Sequence, residues 1–176
     1  MMRPFTPNDV DELHRMWIDP GVRKFLWDDQ VIPRETAVAI VEGSMDSFAQ
    51  HGFGFWAVCF KDDPALVGFG GLRHFTEDGG EKSEVEILCG VAPEHWKKAM
   101  ATEAARVVLR YGFEETGLEQ IYAGADPPNA ASFRVIEKIG MKFAGRMMVN
   151  GLEAIYYVMK REDFQPGAST YLLRRK

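Results

Sequence analysis

A stretch in the second half of the chain decides the fold, because it holds a strand, a loop and the start of a long helix. Residues 86–105 read E-I-L-C-G-V-A-P-E-H-W-K-K-A-M-A-T-E-A-A. The apolar and β-branched run at residues 85–91 is typical of a buried strand. From about residue 98 to residue 115 apolar side chains recur at helical spacing, and Gly117 supplies a stop. A strand therefore leads through a short polar loop into an amphipathic helix.

The next stretch continues this alternation of strands and helices. Residues 121–146 read I-Y-A-G-A-D-P-P-N-A-A-S-F-R-V-I-E-K-I-G-M-K-F-A-G-R. Residues 121–125 form a short apolar strand that the Asp-Pro-Pro sequence breaks, and Asn129 can cap a helix that ends at Gly140. A hairpin of residues 142–149 and 154–160 follows, turning through Asn150-Gly151.

The first half of the chain predicts two helices and then strands. The first helix begins at Thr6-Pro7-Asn8-Asp9 and ends at Asp19-Pro20-Gly21, and the second runs from near Pro33 to His51-Gly52. The apolar stripe of the second helix comprises Val38, Val41, Met45 and Phe48. Residues 53–60 and 66–73 precede the strand at 85–91 as consecutive antiparallel strands. The whole order indicates one mixed α/β layered structure.

Composition limits the function classes. Acidic residues outnumber basic ones by 26 to 21 in the 176 residues, giving a formal charge of -5. This balance argues against broad nucleic-acid binding, and it is compatible with a cationic substrate. The two cysteines, Cys59 and Cys89, suit a reducing cytoplasm, and no apolar run is long enough to span a membrane. The four histidines are scattered, so no metal site is expected.

The two quoted stretches resemble the GNAT superfamily of N-acetyltransferases, particularly its ribosomal-protein alanine N-acetyltransferase branch. That branch has an E-I-G-like strand, then A-P-E-x-W-G-K-G-x-A-T-E-A, then N-x-x-S-x-x-x-x-E-K-x-G-F. Both blocks occur here in the same order, and the flanking elements fit the family order. The resemblance implies one domain over residues 1–176, with a tail at 165–176. It also implies a GNAT fold, with a mixed, mostly antiparallel central sheet and helices on both faces.

The resemblance implies acetyl-CoA as co-substrate and places its binding groups. A helix N-terminus offers unpaired N–H groups and a positive dipole to a pyrophosphate. By the resemblance this site comprises Trp96, Lys97, Lys98, Ala99, Met100, Ala101 and Thr102. The strands at 85–91 and 121–125 would splay apart around the pantetheine arm, with Gly90 and Val91 as backbone partners. Asn129 and Ser132 match N-x-x-S and would reach the cofactor arm, although Asn129 can equally serve as a helix cap.

Three residues depart from the family pattern. Lys97 and Ala99 stand where the family loop has glycines. Ala99 fits if the local conformation is helical, and Lys97 either adds positive charge near the phosphates or points to water. Ile136 stands where many relatives place a tyrosine that protonates the leaving thiolate. Ser132 is therefore the substitute candidate for the general acid.

The implied reaction is direct attack of a neutral primary amine on the acetyl thioester. Glu86 matches the family's strand glutamate and is the general base, a residue that fixes strand geometry, or one that pairs with a nearby basic residue. The Val91 N–H would stabilise the oxyanion. Cys89 has no paired histidine, so a small buried hydrophobe is expected there and not an acetyl-enzyme intermediate.

The acceptor side is open to several interpretations. Trp27, Asp28 and Asp29 follow the first helix, where relatives line the substrate groove, or they form core and a solvated turn. Tyr156 on the last hairpin is a further substrate-binding candidate. The acceptor is a protein N-terminus or a small amine, and a non-catalytic acyl-CoA-binding module is the alternative function. The apolar Tyr171-Leu172-Leu173 packs on its own domain or on a partner in a homodimer.

Overall fold

The computed structural model describes residues 1–167, so the predictions about residues 168–176, including the apolar segment Tyr171-Leu172-Leu173, lie outside the described residues. The strands are β1 Met2–Pro4, β2 Phe55–Cys59, β3 Leu66–Thr76, β4 Ser83–Val91, β5 Gln120–Ala125, β6 Lys142–Val149 and β7 Leu152–Lys160. Within residues 1–167 the α-helices are α1 Val10–Trp17, α2 Pro20–Leu26, α3 Arg34–His51, α4 Met100–Glu115 and α5 Ala130–Lys138.

The strands form one sheet in the order β1-β2-β3-β4-β5-β7-β6. Every neighbouring pair is antiparallel except β4 and β5, which run parallel. A parallel pair needs a crossover, and α4 provides it between these two strands. The predicted mixed, mostly antiparallel sheet with helices on both faces is therefore confirmed.

Two apolar clusters cover the two faces of the sheet. One packs α4 and α5 on the face that carries Ile87 and Ile121, and the other packs α1 and α3 on the face that carries Phe69 and Leu88. Neighbouring residues of a strand point to opposite faces. Glu86, Leu88 and Gly90 therefore share the face opposite α4, which positions the candidate site.

Three details differ from the predictions. Asp19-Pro20-Gly21 ends one helix and also starts another, because Asp19 accepts a hydrogen bond from the Gly21 N–H at 2.8 Å and Pro20 begins α2. Met45 is 44% exposed, whereas Val38, Val41 and Phe48 of the predicted stripe do pack against the core, and Ala37 and Ser44 are buried beside them. The sequence analysis missed β1, which pairs with β2 at the edge of the sheet. No helix within residues 1–167 is long and apolar enough to cross a membrane.

Candidate active site

The parallel strands β4 and β5 separate as they run toward their carboxyl ends. Their register contains one pair, Glu86 with Tyr122. Beyond it β5 continues to Ala125 paired only with β7, and β4 continues to Val91 paired only with β3. The predicted splay is therefore present, and it leaves β4 backbone groups without a strand partner on that side.

The hydrogen-bond alternation of β4 decides which backbone groups face the gap. In an antiparallel pair only every second residue bonds to a given neighbour. The Ala92 N–H donates to a β3 carbonyl at 3.0 Å, so Gly90, two residues earlier, also faces β3. The N–H and C=O of Val91 point into the gap, where the Trp96 indole N–H donates to the Val91 carbonyl at 2.7 Å. The Val91 N–H is thus the better placed of the two predicted backbone partners.

The loop before α4 contains two residues in the left-handed region. Lys97 has φ 64° and Ala99 has φ 61°. The expectation that Ala99 fits through a helical conformation is wrong, because this backbone has the conformation that glycine adopts freely and other L-residues adopt at a cost of about 1–2 kcal/mol each. The loop keeps the glycine-type backbone without the glycines.

The N-terminus of α4 carries unpaired donors. The Glu103 N–H donates to the Ala99 carbonyl at 3.0 Å, which leaves the N–H groups of Met100, Ala101 and Thr102 ahead of the helical hydrogen-bond ladder. Within the described residues no side chain caps this end of the helix. Lys97 and Lys98 are exposed beside it. This arrangement of donors and positive charge fits an anion.

Replacing Ala99 by glycine is expected to stabilise the protein by about 0.5–1 kcal/mol, because relief of the left-handed alanine exceeds the added entropy of the unfolded chain. Urea unfolding measures the difference. Ala101 lies in the first turn of α4, so Ala101→Gly is the matched control and is expected to destabilise by about 0.5–1 kcal/mol. Equal losses in both variants would contradict the strain at Ala99.

The helix α5 presents the two residues of the N-x-x-S match. Asn129 caps the helix, its side-chain oxygen accepting from the Ser132 N–H at 3.2 Å, and Ser132 is half-buried in the first turn. The capping role of Asn129 is therefore present, and the cofactor contacts of both residues stay predictions. Ile136 is buried in the apolar cluster under α4, so the position of the missing tyrosine belongs to the core.

Glu86 lies in a buried network that sequence reasoning only partly foresaw. It is 3% exposed, and both Nε and an Nη of Arg73 contact its Oε1, at 2.9 and 2.8 Å. Tyr156 packs its ring over Gly124, where a Cβ atom would come within 2.7 Å of the ring. Burial raises the pKa of Tyr156, and the negative charge of Glu86 raises it further. Tyr156 is thus a neutral, buried phenol beside the Glu86 carboxylate.

Aromatic contacts extend this network across the sheet. Phe75 stacks on Tyr156 with ring centroids 5.1 Å apart and lies 5.7 Å from Tyr122. Arg73 pairs with Glu86 in the β3–β4 register, so their side chains share one face. We call the surface formed by Arg73, Phe75, Glu86, Tyr122 and Tyr156 the Glu86 face.

A second carboxylate lies at the open end of the splay. Asp126 directly follows β5, and burial raises its pKa, as does the negative charge of Asp28. Asp28 is exposed in the segment after α2 and has φ 51°. Asp28 therefore lies near enough for its charge to act on Asp126, a residue that the sequence analysis treated only as a strand breaker.

The other two candidates in this segment, Asp29 and Trp27, already contact side chains of the protein. Asp29 accepts a hydrogen bond from the Arg23 side chain at 2.9 Å, as part of an exposed ion pair. Trp27 packs edge-on against Trp17 with ring centroids 5.9 Å apart, and its indole nitrogen is buried. Trp17 in turn contacts Phe69, whose ring lies over Gly90. The packing role of Trp27 is thus present, and its substrate contact stays a prediction.

The Cys89 thiol is not a reactive nucleophile at neutral pH. Burial raises the pKa of the Cys89 thiol to about 12, which keeps it protonated at neutral pH. In residues 1–167 no three His, Cys, Asp or Glu side chains cluster closely enough to hold a metal ion.

A family model and individual relatives match the chain. The model described as acetyltransferase (GNAT) domain matches residues 1–142. An uncharacterised N-acetyltransferase, YnaD of Bacillus subtilis, is 31% identical over 145 residues, covering 82% of this chain and 80% of that protein. The spermidine N(1)-acetyltransferase of Escherichia coli strain K12 is 25% identical over 152 residues, covering 84% of this chain and 75% of that protein.

A solved structure shares the fold along nearly the whole length. The crystal structure of a GNAT-family acetyltransferase from Bacillus anthracis superposes with a TM-score of 0.74 at 27% identity, covering 92% of this chain and 94% of that chain. None of these matches singles out the ribosomal-protein branch. The splayed strands, the glycine-type loop and the open helix N-terminus thus occur in a chain that belongs to the GNAT acetyltransferase family and is an N-acetyltransferase.

Proposed function

We propose that this acetyltransferase transfers the acetyl group of acetyl-CoA to a primary amine of a small cationic molecule. The observation that carries the proposal is the pair of carboxylates, Asp28 and Asp126, at the open end of the splay near the buried Glu86 face. The negative charge of Asp28 acts unfavourably on the ionised Asp126 carboxylate, and a bound ammonium group would offset that repulsion. The acids would draw a polyamine into the gap where Val91 lies.

The chain's own groups fit acetyl-CoA. The N–H groups of Met100, Ala101 and Thr102, with Lys97 and Lys98 beside them, would hold the pyrophosphate. The Val91 N–H points into the gap, where it can donate to the thioester oxygen as negative charge develops. Asn129 and Ser132, in the first turn of α5, would contact the pantetheine arm and the thiol. When bound, acetyl-CoA supplies an activated acetyl group with a thiolate as leaving group.

Glu86 is proposed as the proton acceptor. Both Arg73 contacts converge on Oε1, which anchors the carboxylate and leaves Oε2 as the oxygen proposed to take the proton. The amine nitrogen bonds to the acetyl carbon, the C–S bond breaks, and the proton of the nitrogen passes to Oε2 through a bridging water. Ser132 is proposed as the donor to the thiolate, a modest task because thiols near pKa 8.5 leave readily.

The name of one relative agrees with this acceptor class. The E. coli protein that matches 84% of this chain is a spermidine N(1)-acetyltransferase, and spermidine is a flexible polyamine with several positive charges. A protein N-terminus is the competing acceptor, and it presents one ammonium group on a bulky chain. The two negative charges of Asp28 and Asp126 support the polyamine as the acceptor.

An amine screen with matched variants tests the proposal. With spermidine as acceptor, Asp28→Asn and Asp126→Asn are each expected to raise KM about fivefold to tenfold, as loss of one partly exposed charge contact predicts, with little change in the acetyl-CoA Kd. Asp62→Asn, in the exposed turn after β2, is the control and should leave KM unchanged. Turnover of N-terminal peptides but not of polyamines would replace the proposed acceptor with a protein N-terminus.

A further inference from the structure

A single aspartate joins two hairpin tips that are far apart in the sheet order. Asp78, in the loop between β3 and β4, accepts hydrogen bonds from the backbone N–H groups of Asn150 at 2.9 Å and Gly151 at 2.7 Å. Its own N–H donates to the Met148 carbonyl at 2.8 Å. One residue therefore makes three hydrogen bonds to the β6–β7 turn. We call this contact the Asp78 clasp.

The clasp joins strands that a flat sheet would hold apart. β3 and β6 are four strand positions apart in the order β3-β4-β5-β7-β6. At about 4.8 Å per neighbouring pair, their backbones would lie roughly 19 Å apart in a flat sheet. The β3–β4 tip lies at the amino-terminal end of β4, whereas the β6–β7 tip lies beyond the carboxyl-terminal end of the parallel strand β5. Backbone hydrogen bonds between the two tips therefore mean that the two hairpins bend toward each other across the face of the sheet. The clasp holds them together.

The face that the two hairpins cover is the Glu86 face, which carries the proposed base. Three residues before Asp78, Phe75 on β3 stacks on Tyr156, which lies five residues after Gly151 on β7. Phe75, Glu86 and Tyr156 are 8%, 3% and 4% exposed. The clasp and the aromatic stack are thus two successive contacts between the same pair of hairpins, and Glu86 is buried beneath them.

We propose that Asp78 is a positioning residue that holds the two hairpins together over the Glu86 face and so covers the proposed base. This cover keeps bulk water from the thioester and holds Tyr156 against Glu86. It also limits the space for an acceptor. This inference rests on the proposed function, because it assigns the Glu86 face to the acceptor.

The proposal has a direct chemical consequence. In a site without this cover, water can attack the thioester carbonyl in place of the amine. That step forms a C–O bond, breaks the C–S bond and yields acetate and the free thiol of CoA, with one proton released to solvent. Opening the clasp should therefore increase acetyl-CoA hydrolysis in the absence of any amine.

Asp78→Ala is the test variant, and Glu81→Ala, an exposed acid in the same loop, is its matched control. In the full-length protein with saturating acetyl-CoA, three quantities are measured: amide exchange at Asn150 and Gly151, release of free CoA without amine, and KM and kcat for spermidine. Asp78→Ala should speed exchange at both amides by at least about tenfold, since a hydrogen bond to a carboxylate is lost at each. Free CoA release should rise about fivefold, and the spermidine KM should rise while the acetyl-CoA Kd stays within about twofold.

Each result decides the proposal. Faster exchange at Asn150 and Gly151 with unchanged CoA release and KM would reduce Asp78 to a structural clasp and overturn its positioning role. Unchanged exchange would overturn the clasp itself. If the wild type fails to bind acetyl-CoA, the proposed function fails and the role of Asp78 fails with it. If the wild type binds acetyl-CoA but Asp78→Ala changes neither CoA release nor the spermidine KM, only the role of Asp78 is removed. The Glu81→Ala variant must behave as wild type for the effect to belong to Asp78.

Discussion

Replacing Glu86 by glutamine is expected to lower kcat by roughly 10²–10³-fold, within the range that a positioned general base contributes. Glutamine keeps the size of the side chain and an oxygen that can face Arg73, but it cannot accept a proton. The acetyl-CoA Kd should stay within about threefold, because the proposed pyrophosphate site lies at the start of α4 and not on the Glu86 face. Steady-state kinetics and calorimetry measure the two quantities separately.

The control for Glu86 is a second glutamate of the same strand. Glu84 lies two residues earlier on β4 and is nearer the surface. Its carboxylate accepts a hydrogen bond from the Gln120 side chain and forms an ion pair with Lys82. Glu84→Gln should keep nearly full kcat. A Glu86→Gln enzyme with kcat close to wild type would show that Glu86 only anchors Arg73, which is the structural role the sequence left open. A loss explained by unfolding would appear as a lowered Tm and is excluded by comparing the two variants.

Replacing Lys97 by glutamate is expected to weaken acetyl-CoA binding about tenfold to a hundredfold. The reason is the loss of a positive charge and its replacement by a negative one beside the unpaired N–H groups of α4. Calorimetric titration of acetyl-CoA measures the Kd. The same substitution should leave the Tm nearly unchanged, because the Lys97 side chain is exposed.

Two further variants separate the charge of Lys97 from its backbone conformation. Lys97→Gly removes the charge but suits φ 64°, so binding should weaken only a few-fold. Lys61→Glu makes the same charge change in the exposed turn after β2 and should have no effect on Kd. Equal weakening by Lys61→Glu and Lys97→Glu would mean that net charge acts at long range, and that the pyrophosphate does not lie at this loop.

Local patterns in the sequence determined most of the elements. Helical spacing located α3 and α4, the Asn-Gly pair located the β6–β7 turn, and the strands came from apolar and β-branched runs. The predictions failed where a local signal is ambiguous or too short. Asp19-Pro20-Gly21 stops one helix and starts another, and the three residues of β1 are too few to show a period.

The candidate site depends on distances that local patterns do not contain. Arg73 and Glu86 meet because the β3–β4 register places them opposite each other, and the long loop between those strands does not specify that register. Tyr156 reaches Glu86 because the β4–β5 and β5–β7 registers place it on the same face and Gly124 has no side chain in between, and the charge of Asp28 acts on Asp126 across nearly a hundred residues of sequence. None of these pairs is close in sequence.

By itself the sequence determined the family, the order of most elements and the position of the loop that precedes α4, because these follow from local spacing and from two motif blocks. Tertiary structure alone decided the backbone conformation of Ala99, the face that Val91 presents to the gap, and the partners of Glu86. The last two depend on how the strands pair. Such properties belong to contacts between distant segments, so they appear only when the chain is folded.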